Sequence, residues 1–235
     1  MSQTLELLKS ESLVFPPLHQ ALTEPNGLLA FGGDLSVERL CSAYKHGVFP
    51  WYSDHDPIMW WSPDPRAIIT TSSIKINRTL RKVLKQKNYS VSINKAFNDV
   101  INLCAHAPFR KEDTWIVTDM INAYKQLHTQ GHAHSIEVWQ NDELVGGLYG
   151  VAINGYFSGE SMFYKASNAS KIALVVLAKH LDSINISMID CQLLNPFLAD
   201  MGCVEVSREY FIKQQQKHLS MNIPHDFWLP REIES

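Results

Sequence analysis

Two short strings in the second half of this sequence carry the polar residues best placed to do chemistry, YFSGESMF at 156–163 and MIDCQ at 188–192. In the second, Asp190 and Gln192 are two residues apart on an expected strand and so alternate to one face, where one side chain can brace the other. A neutral amide has no useful proton affinity, and its oxygen can only accept a hydrogen bond. The pair therefore reads as a device for orienting a group, with a capped carboxylate and amide at a strand end as the plain alternative. Glu160 is expected at the end of another strand, beside Gly159, which leaves the backbone open to an approaching ligand. Its plain alternative is a glutamate facing solvent.

Trp51 and Trp115 fall in expected loops, where no core pattern accounts for a large aromatic. Such rings stack on unpaired bases, each contact contributing about 1–3 kcal/mol. Trp60 and Trp61 suit loop-pinning better, and Trp139 reads as strand packing. From Lys75 to Lys87 there are six basic residues and no acidic one. Arg78, Arg81, Lys82 and Lys85 share one side of an expected helix, with Leu80, Val83 and Leu84 on the other. That face is either a nucleic-acid contact or a solvated surface. A formal net charge of −3 argues against a general nucleic-acid coat, so any RNA contact must be local and DNA is not an expected partner.

Composition excludes other classes. Hydrophobic residues make up 45% and charged residues 19%, which speaks against disorder and fibrous repeats. Cys41, Cys104, Cys191 and Cys203 include no CxxC pair, so they are expected reduced and mostly buried. His132 and His134 fit two residues on one side of a strand, and no metal site is expected. The sequence has neither a G-x-S-x-G elbow nor a P-loop. No apolar run of about 18 residues exists, and the opening MSQTLELLKSES lacks the regions of a signal peptide. A cytoplasmic protein without a membrane partner is the expectation.

These residues need a frame. Proline and glycine cut the first 65 residues into short elements, with one helix expected after Asp34-Leu35-Ser36 and ending near Gly47. Pro57, Pro63 and Pro65 mark a boundary, giving a small N-terminal domain at 1–65 and a catalytic domain at 66–235. Beyond it the pattern is regular α/β (α+β): strand 66–72, helix 76–87, strand 89–93 and helix 95–105. A helix follows from an N-cap at Thr118 to Gln130, closed by Gly131. Strands 133–140, 143–152 and 156–163, joined by Asn141-Asp142 and Asn154-Gly155 turns, form a meander. Helix 169–182, apolar on most sides, should be buried on the sheet. Strand 186–193, helix 196–201 and strand 203–207 complete the order. It resembles the Gcn5-related N-acetyltransferase-like fold, a mixed sheet with flanking helices.

Several strings resemble the leucyl/phenylalanyl-tRNA–protein transferase family: EPNGLLAFGGDLS at 24–36, GVFPWYS at 47–53, DPIMWWSPDPRA at 56–67, TWI at 114–116 and GHAHSIEVW at 131–139. LVGGLYG at 144–150, GESMF at 159–163, ASK at 169–171 and IDCQ at 189–192 continue the likeness over almost the whole chain. The resemblance implies transfer of Leu or Phe, with Met a further candidate, from Leu-tRNA or Phe-tRNA to proteins with N-terminal Arg or Lys. It implies that Asp190 and Gln192 position the incoming α-amine and help to deprotonate it, and that Glu160 recognises an amine, with Asp190 or Glu137 as a second carboxylate. It also implies that Trp51 and Trp115 hold the terminal adenosine. The side-chain pocket has Leu148, Met162, Leu174, Leu177 and Leu181 as candidates, where the buried helix faces the meander. An aminoacyl ester is already activated, so no cofactor is expected. Three rivals stand beside this reading: an acetyl-CoA-dependent N-acetyltransferase, a non-catalytic RNA-binding protein and a tRNA-dependent transferase of cell-wall peptides. FYKASNASK at 163–171 lacks the glycines of a pyrophosphate loop, which weighs against the first.

Overall fold

Proline and glycine prevent long elements in the opening third of the chain. In a computed structural model, which describes residues 5–86, 88–107 and 116–234, four short strands form there instead. These are β1 (Glu6–Leu8), β2 (Leu28–Gly32), β3 (Phe49–Pro50) and β4 (Met59–Trp61), in the order β1-β2-β4-β3. Between β2 and β3 lies the expected helix, α1 (Val37–Lys45). The Ser36 side chain accepts the Arg39 N–H at 3.3 Å, and Gly47, at φ +79°, follows the helix end.

From Arg66 onward come β5 (Arg66–Thr70), α2 (Arg78–Gln86), β6 (Ser90–Ile93), α3 (Phe97–Ala105) and α4 (Thr118–Thr129). Next are β7 (Ala133–Gln140), β8 (Glu143–Ile153), β9 (Tyr156–Tyr164), α5 (Ala169–Asp182) and β10 (Met188–Gln192). The series closes with α6 (Pro196–Asp200), β11 (Val204–Val206), α7 (Arg208–Leu219) and β12 (Arg231–Ile233). The expected elements are present with ends shifted by a few residues. Thr118 is not the N-cap of α4: Val117 holds that place without a side-chain cap bond. The four N-terminal strands, α7 and β12 go beyond the sequence expectation.

The second sheet has eight strands in the order β11-β5-β10-β9-β8-β7-β6-β12. Strands β7, β8 and β9 form the expected antiparallel meander. One pairing in this sheet is parallel, β9 with β10, and α5 supplies the crossover that a parallel pair requires. Alternation along β8 builds a core on each face: Tyr149, Val151 and Ile153 join α1, α3 and α4, while Leu148 and Ala152 join α5. Gly146 lets α5 come close, since a Cβ there would lie 2.4 Å from that of Ala169. The molecule is thus a mixed α+β structure. No helix among the described residues is long and apolar enough to cross a membrane.

Candidate active site

The parallel pair β9/β10 is short. Phe157 pairs with Ile189 and Ser158 with Asp190, after which the two strands separate. A β-bulge sits on each strand at that point. On β9, Gly150 faces Gly159 and Tyr149 faces Ser161, so Glu160 is the extra residue. On β10, Asp190 faces Ile68 and Gln192 faces Ala67, so Cys191 is the extra residue and Gln192 adopts a left-handed backbone at φ +57°. A bulge re-aims the side chains that follow it. Phe157 and Phe163, six residues apart on β9, accordingly fall into different cores.

The separation opens a cavity of about 600 Å³. Its apolar wall includes Leu148 and Met162, cross-strand partners on β8 and β9, with Leu174 and Leu177 from α5. Ser170, Leu174 and Leu177 line it at the i, i+4, i+7 spacing of one helix face. Leu181, fully buried one turn further on, lies in the core and does not line the cavity. Glu160 and Gln192 belong to its polar part, with Ser161, Ser170 and Asn195, and Phe49, Pro50 and Trp51 close another side. Trp51 is 39% exposed; the Trp61 indole donates to its carbonyl at 2.6 Å and lies against its ring. Trp115 lies outside the described residues.

Gln192 Nε2 donates to Ser158 Oγ at 2.9 Å and to Glu160 Oε1 at 3.1 Å. Both bonds are made by the nitrogen, and Gln192 Oε1 accepts no hydrogen bond among the described residues. Ser158 Oγ also donates to Glu160 Oε1 at 3.0 Å, and Tyr124 donates to Glu160 Oε2 at 3.2 Å. The Tyr124 hydroxyl is hydrogen-bonded in turn to that of Tyr44. Burial pushes the Glu160 carboxyl up to about 7, against the pull of hydrogen bonds from Tyr44 and Ser158. Burial also raises Tyr44 and Tyr124 well above the usual phenol range, with the Glu160 charge acting in the same direction.

Asp190 sits behind this cluster, fully buried. Arg66 holds it by two bonds, Nε to Oδ1 at 2.8 Å and Nη2 to Oδ2 at 2.7 Å. Tyr156 donates to Oδ2 at 2.6 Å and the Gln192 main-chain N–H to Oδ1 at 3.0 Å, while the Ser158 hydroxyl, its proton directed to Glu160, lies 3.4 Å from Oδ2. Burial opposes the charge on Arg66, but Asp190 more than restores it, raising the guanidinium above its ordinary value. The brace expected between Asp190 and Gln192 therefore runs through the backbone of Gln192 and through Ser158. Glu160 stands within β9 rather than at its end, half-buried rather than facing solvent.

Two other expected groups stand apart from the cavity. Glu137 is buried on β7, where it accepts bonds from Ser92 and Ser135 and from the main-chain N–H groups of Lys95 and Ala96 at the start of α3. Arg78, Arg81, Lys82 and Lys85 are exposed along α2, which buries Leu80 and packs on α5. None of the four joins an ion pair among the described residues. Cys41, Cys104 and Cys203 are buried and Cys191 is half-buried. Arg66, Tyr156, Ser158, Tyr44 and Tyr124 were missing from the sequence-derived candidates. A signal existed for Arg66 alone, a cation opening the apolar strand RAIIT and so in need of a buried partner.

The cavity thus joins an apolar wall to a carboxylate and an amide, a combination that a group-transfer enzyme can use. The family model described as leucyl/phenylalanyl-tRNA protein transferase matches residues 68–216, and that of its N-terminal domain matches residues 33–64. Curated relatives named leucyl/phenylalanyl-tRNA–protein transferase include one from Colwellia psychrerythraea, 60% identical over 99% of both chains. Those from Pseudoalteromonas atlantica and Shewanella loihica are 49% and 47% identical over 95% and 98% of both chains. This chain belongs to the leucyl/phenylalanyl-tRNA–protein transferase family, a family of aminoacyltransferase enzymes. Among solved structures, L-PGS from Bacillus licheniformis is similar at a TM-score of 0.38 and 11% identity, over 68% of this chain and 51% of that one.

Proposed function

We propose that the chain moves Leu or Phe, with Met as a third candidate, from aminoacyl-tRNA to the N-terminal Arg or Lys of an acceptor protein, marking it for N-degron degradation. One juxtaposition carries this reading: the apolar wall of Leu148, Met162, Leu174 and Leu177 shares a cavity with Glu160, Gln192 and Trp51. The wall takes the transferred side chain, with Leu181 supporting it from the core. Trp51, together with Trp115, stacks on the terminal adenosine, and the exposed cations of α2 neutralise tRNA phosphates.

The reaction needs positioning more than acid or base. The acceptor amine attacks the ester carbonyl carbon, a C–N bond forms, the C–O bond to the ribose breaks, and the amine proton ends on the ribose oxygen. An α-amine has an ordinary pKa near ~8, so a usable fraction is already neutral near pH 7. Gln192 Oε1 accepts a hydrogen bond from that amine and aims its lone pair. Glu160 faces the basic group of the acceptor or the free amine of the aminoacyl group. Asp190 holds Gln192 in place, and the ester's own activation makes a cofactor unnecessary.

The architecture supports the same reading. Residues 1–65 form a small domain that presents Trp51, and residues 66–235 form a Gcn5-related N-acetyltransferase-like domain whose two parallel strands part at the reaction centre. FYKASNASK before α5 offers no glycine cradle for a pyrophosphate, which favours an aminoacyl donor over coenzyme A. Aminoacyl-tRNA as donor places the enzyme in the cytoplasm. Incubation with Leu-tRNA and a peptide bearing N-terminal Arg should raise the peptide mass by one leucyl residue. No gain with charged tRNA, or an acetyl gain with acetyl-CoA, would reject the proposal.

A further inference from the structure

The carboxylate of Asp190 is occupied on every side. Four donor groups converge on it: two nitrogens of Arg66, the Tyr156 hydroxyl and the Gln192 main-chain N–H, two on each oxygen. Asp190 is fully buried and is not among the residues lining the cavity. A carboxylate so enclosed cannot meet the amine and has no oxygen left to take its proton. What it does touch is the backbone of Gln192, in the left-handed region that a residue with a Cβ seldom adopts.

Arg66 is equally enclosed. Its side chain is 0% exposed, its guanidinium lies 4.9 Å from the centre of the Phe49 ring and 4.5 Å from that of Phe211, and Nη1 donates to the Gly47 carbonyl at 3.2 Å. Phe49 belongs to β3, two residues before Trp51, and itself lines the cavity. One cation therefore fixes two walls of the site, the Asp190–Gln192 corner and the strand that leads to Trp51.

We propose that Arg66 is a positioning residue for the transfer reaction: it keeps Asp190 an anion saturated with hydrogen bonds, and through it holds the Gln192 amide oxygen where the amine must be aimed. The inference rests on the role given to Gln192 above. The guanidinium is suited to the task because its planar fork engages both carboxylate oxygens at once, which an ammonium cannot do.

The test compares Arg66→Met, Arg66→Lys, Asp190→Asn and the double variant Arg66→Met/Asp190→Asn, using single-turnover transfer from Leu-tRNA to an N-terminal Arg peptide. With Arg66 gone, the Asp190 carboxylate loses two of the hydrogen bonds that fix it beneath Gln192. Arg66→Met should lose about 10- to 100-fold in rate at neutral pH, the scale set by misplacing a reacting group by about 1 Å. The loss should fall on the transfer step, with affinity for Leu-tRNA unchanged. Arg66→Lys, which retains the charge, should show a smaller loss. The neutral double variant avoids an unpaired buried charge and should be no slower than Asp190→Asn, because the two residues act as one unit.

A wild-type rate in the double variant would overturn the proposal, as would losses in the two single variants that multiply in the double. A loss confined to Leu-tRNA affinity in a folded Arg66→Met protein would do the same. Should Arg66→Met fail to fold, the double variant and Arg66→Lys still decide the matter. Gln192→Ala separates the underlying reading from this one: if it is fully active, the role of Gln192 fails, whereas sensitivity to Gln192→Ala with indifference to Arg66 defeats the present proposal alone.

Discussion

Glu160 is the residue whose ionisation most directly joins the site to the stability of the fold. Its carboxyl lies at about 7 against an ordinary 4.5, because burial disfavours the charge. A folded-state value above the unfolded one means that the folded protein holds the proton more tightly. The stability contributed is thus complete below about pH 4.5 and is lost as the pH rises through about 7. Glu160→Gln, which keeps the shape and cannot ionise, should match wild type in melting temperature near pH 4 and exceed it by a few degrees near pH 8. Melting curves at the two pH values check this, and a constant difference between the proteins would refute it. The types of these side chains were legible in GESMF and MIDCQ, but their arrangement was not. Strict alternation is the only face rule that a sequence offers, and both strands break it with a bulge at the residues that matter.

At the scale of elements, α2 presents four exposed cations over a small apolar face. Replacing Arg81, Lys82 and Lys85 by Ala should weaken tRNA binding most at low salt. The slope of log affinity against log salt should fall by about two, since each lost phosphate contact releases about 0.7–0.9 of a counterion. Binding titrations at several salt concentrations measure it, and an unchanged slope would remove α2 from the tRNA path. This helix was readable because its charged and apolar residues separate at helical spacing. By contrast, α7 escaped notice because the residues it buries are Phe211, Gln215 and His218. That spacing is helical, but two of the three are polar, and Gln215 Nε2 donates to the Tyr44 carbonyl at 2.8 Å. The small N-terminal strands were hidden for another reason: two to five residues are too few to show a period of two.

Over the whole molecule, the segment after α7 returns to the far edge of the large sheet and is held by stacked rings. The His180 ring lies 3.9 Å from that of Phe227 and the His134 ring 4.3 Å from that of Trp228, both pairs nearly parallel and stacked, before β12 pairs with β6. Burial depresses these imidazoles to about 4 and about 3. With folded-state values below the ordinary 6.5, they contribute stability present above about pH 6.5 and lost as the pH falls through about 4 and then about 3. His180→Phe preserves the stack without a proton to gain. Its melting temperature should therefore fall less than that of wild type between about pH 7 and about pH 4. Equal falls in the two proteins would show that the stack does not sense acid. Nothing in FWLPREIES advertises this return, because its partners are scattered from β6 to α5 and only the fold assembles them.

The left-handed backbone at Gln192 carries a lesson for transplantation. A designer who copies the five residues MIDCQ into a foreign strand would obtain an ordinary extended segment, with the amide on the wrong side. The bent form depends on the Asp190 carboxylate under it, which depends on a guanidinium more than a hundred residues earlier in the chain and on a hydroxyl from a neighbouring strand. The smallest portable version of this site is not a peptide motif but a two-strand corner with its buried cation, and any graft that omits the cation inherits the letters without the geometry.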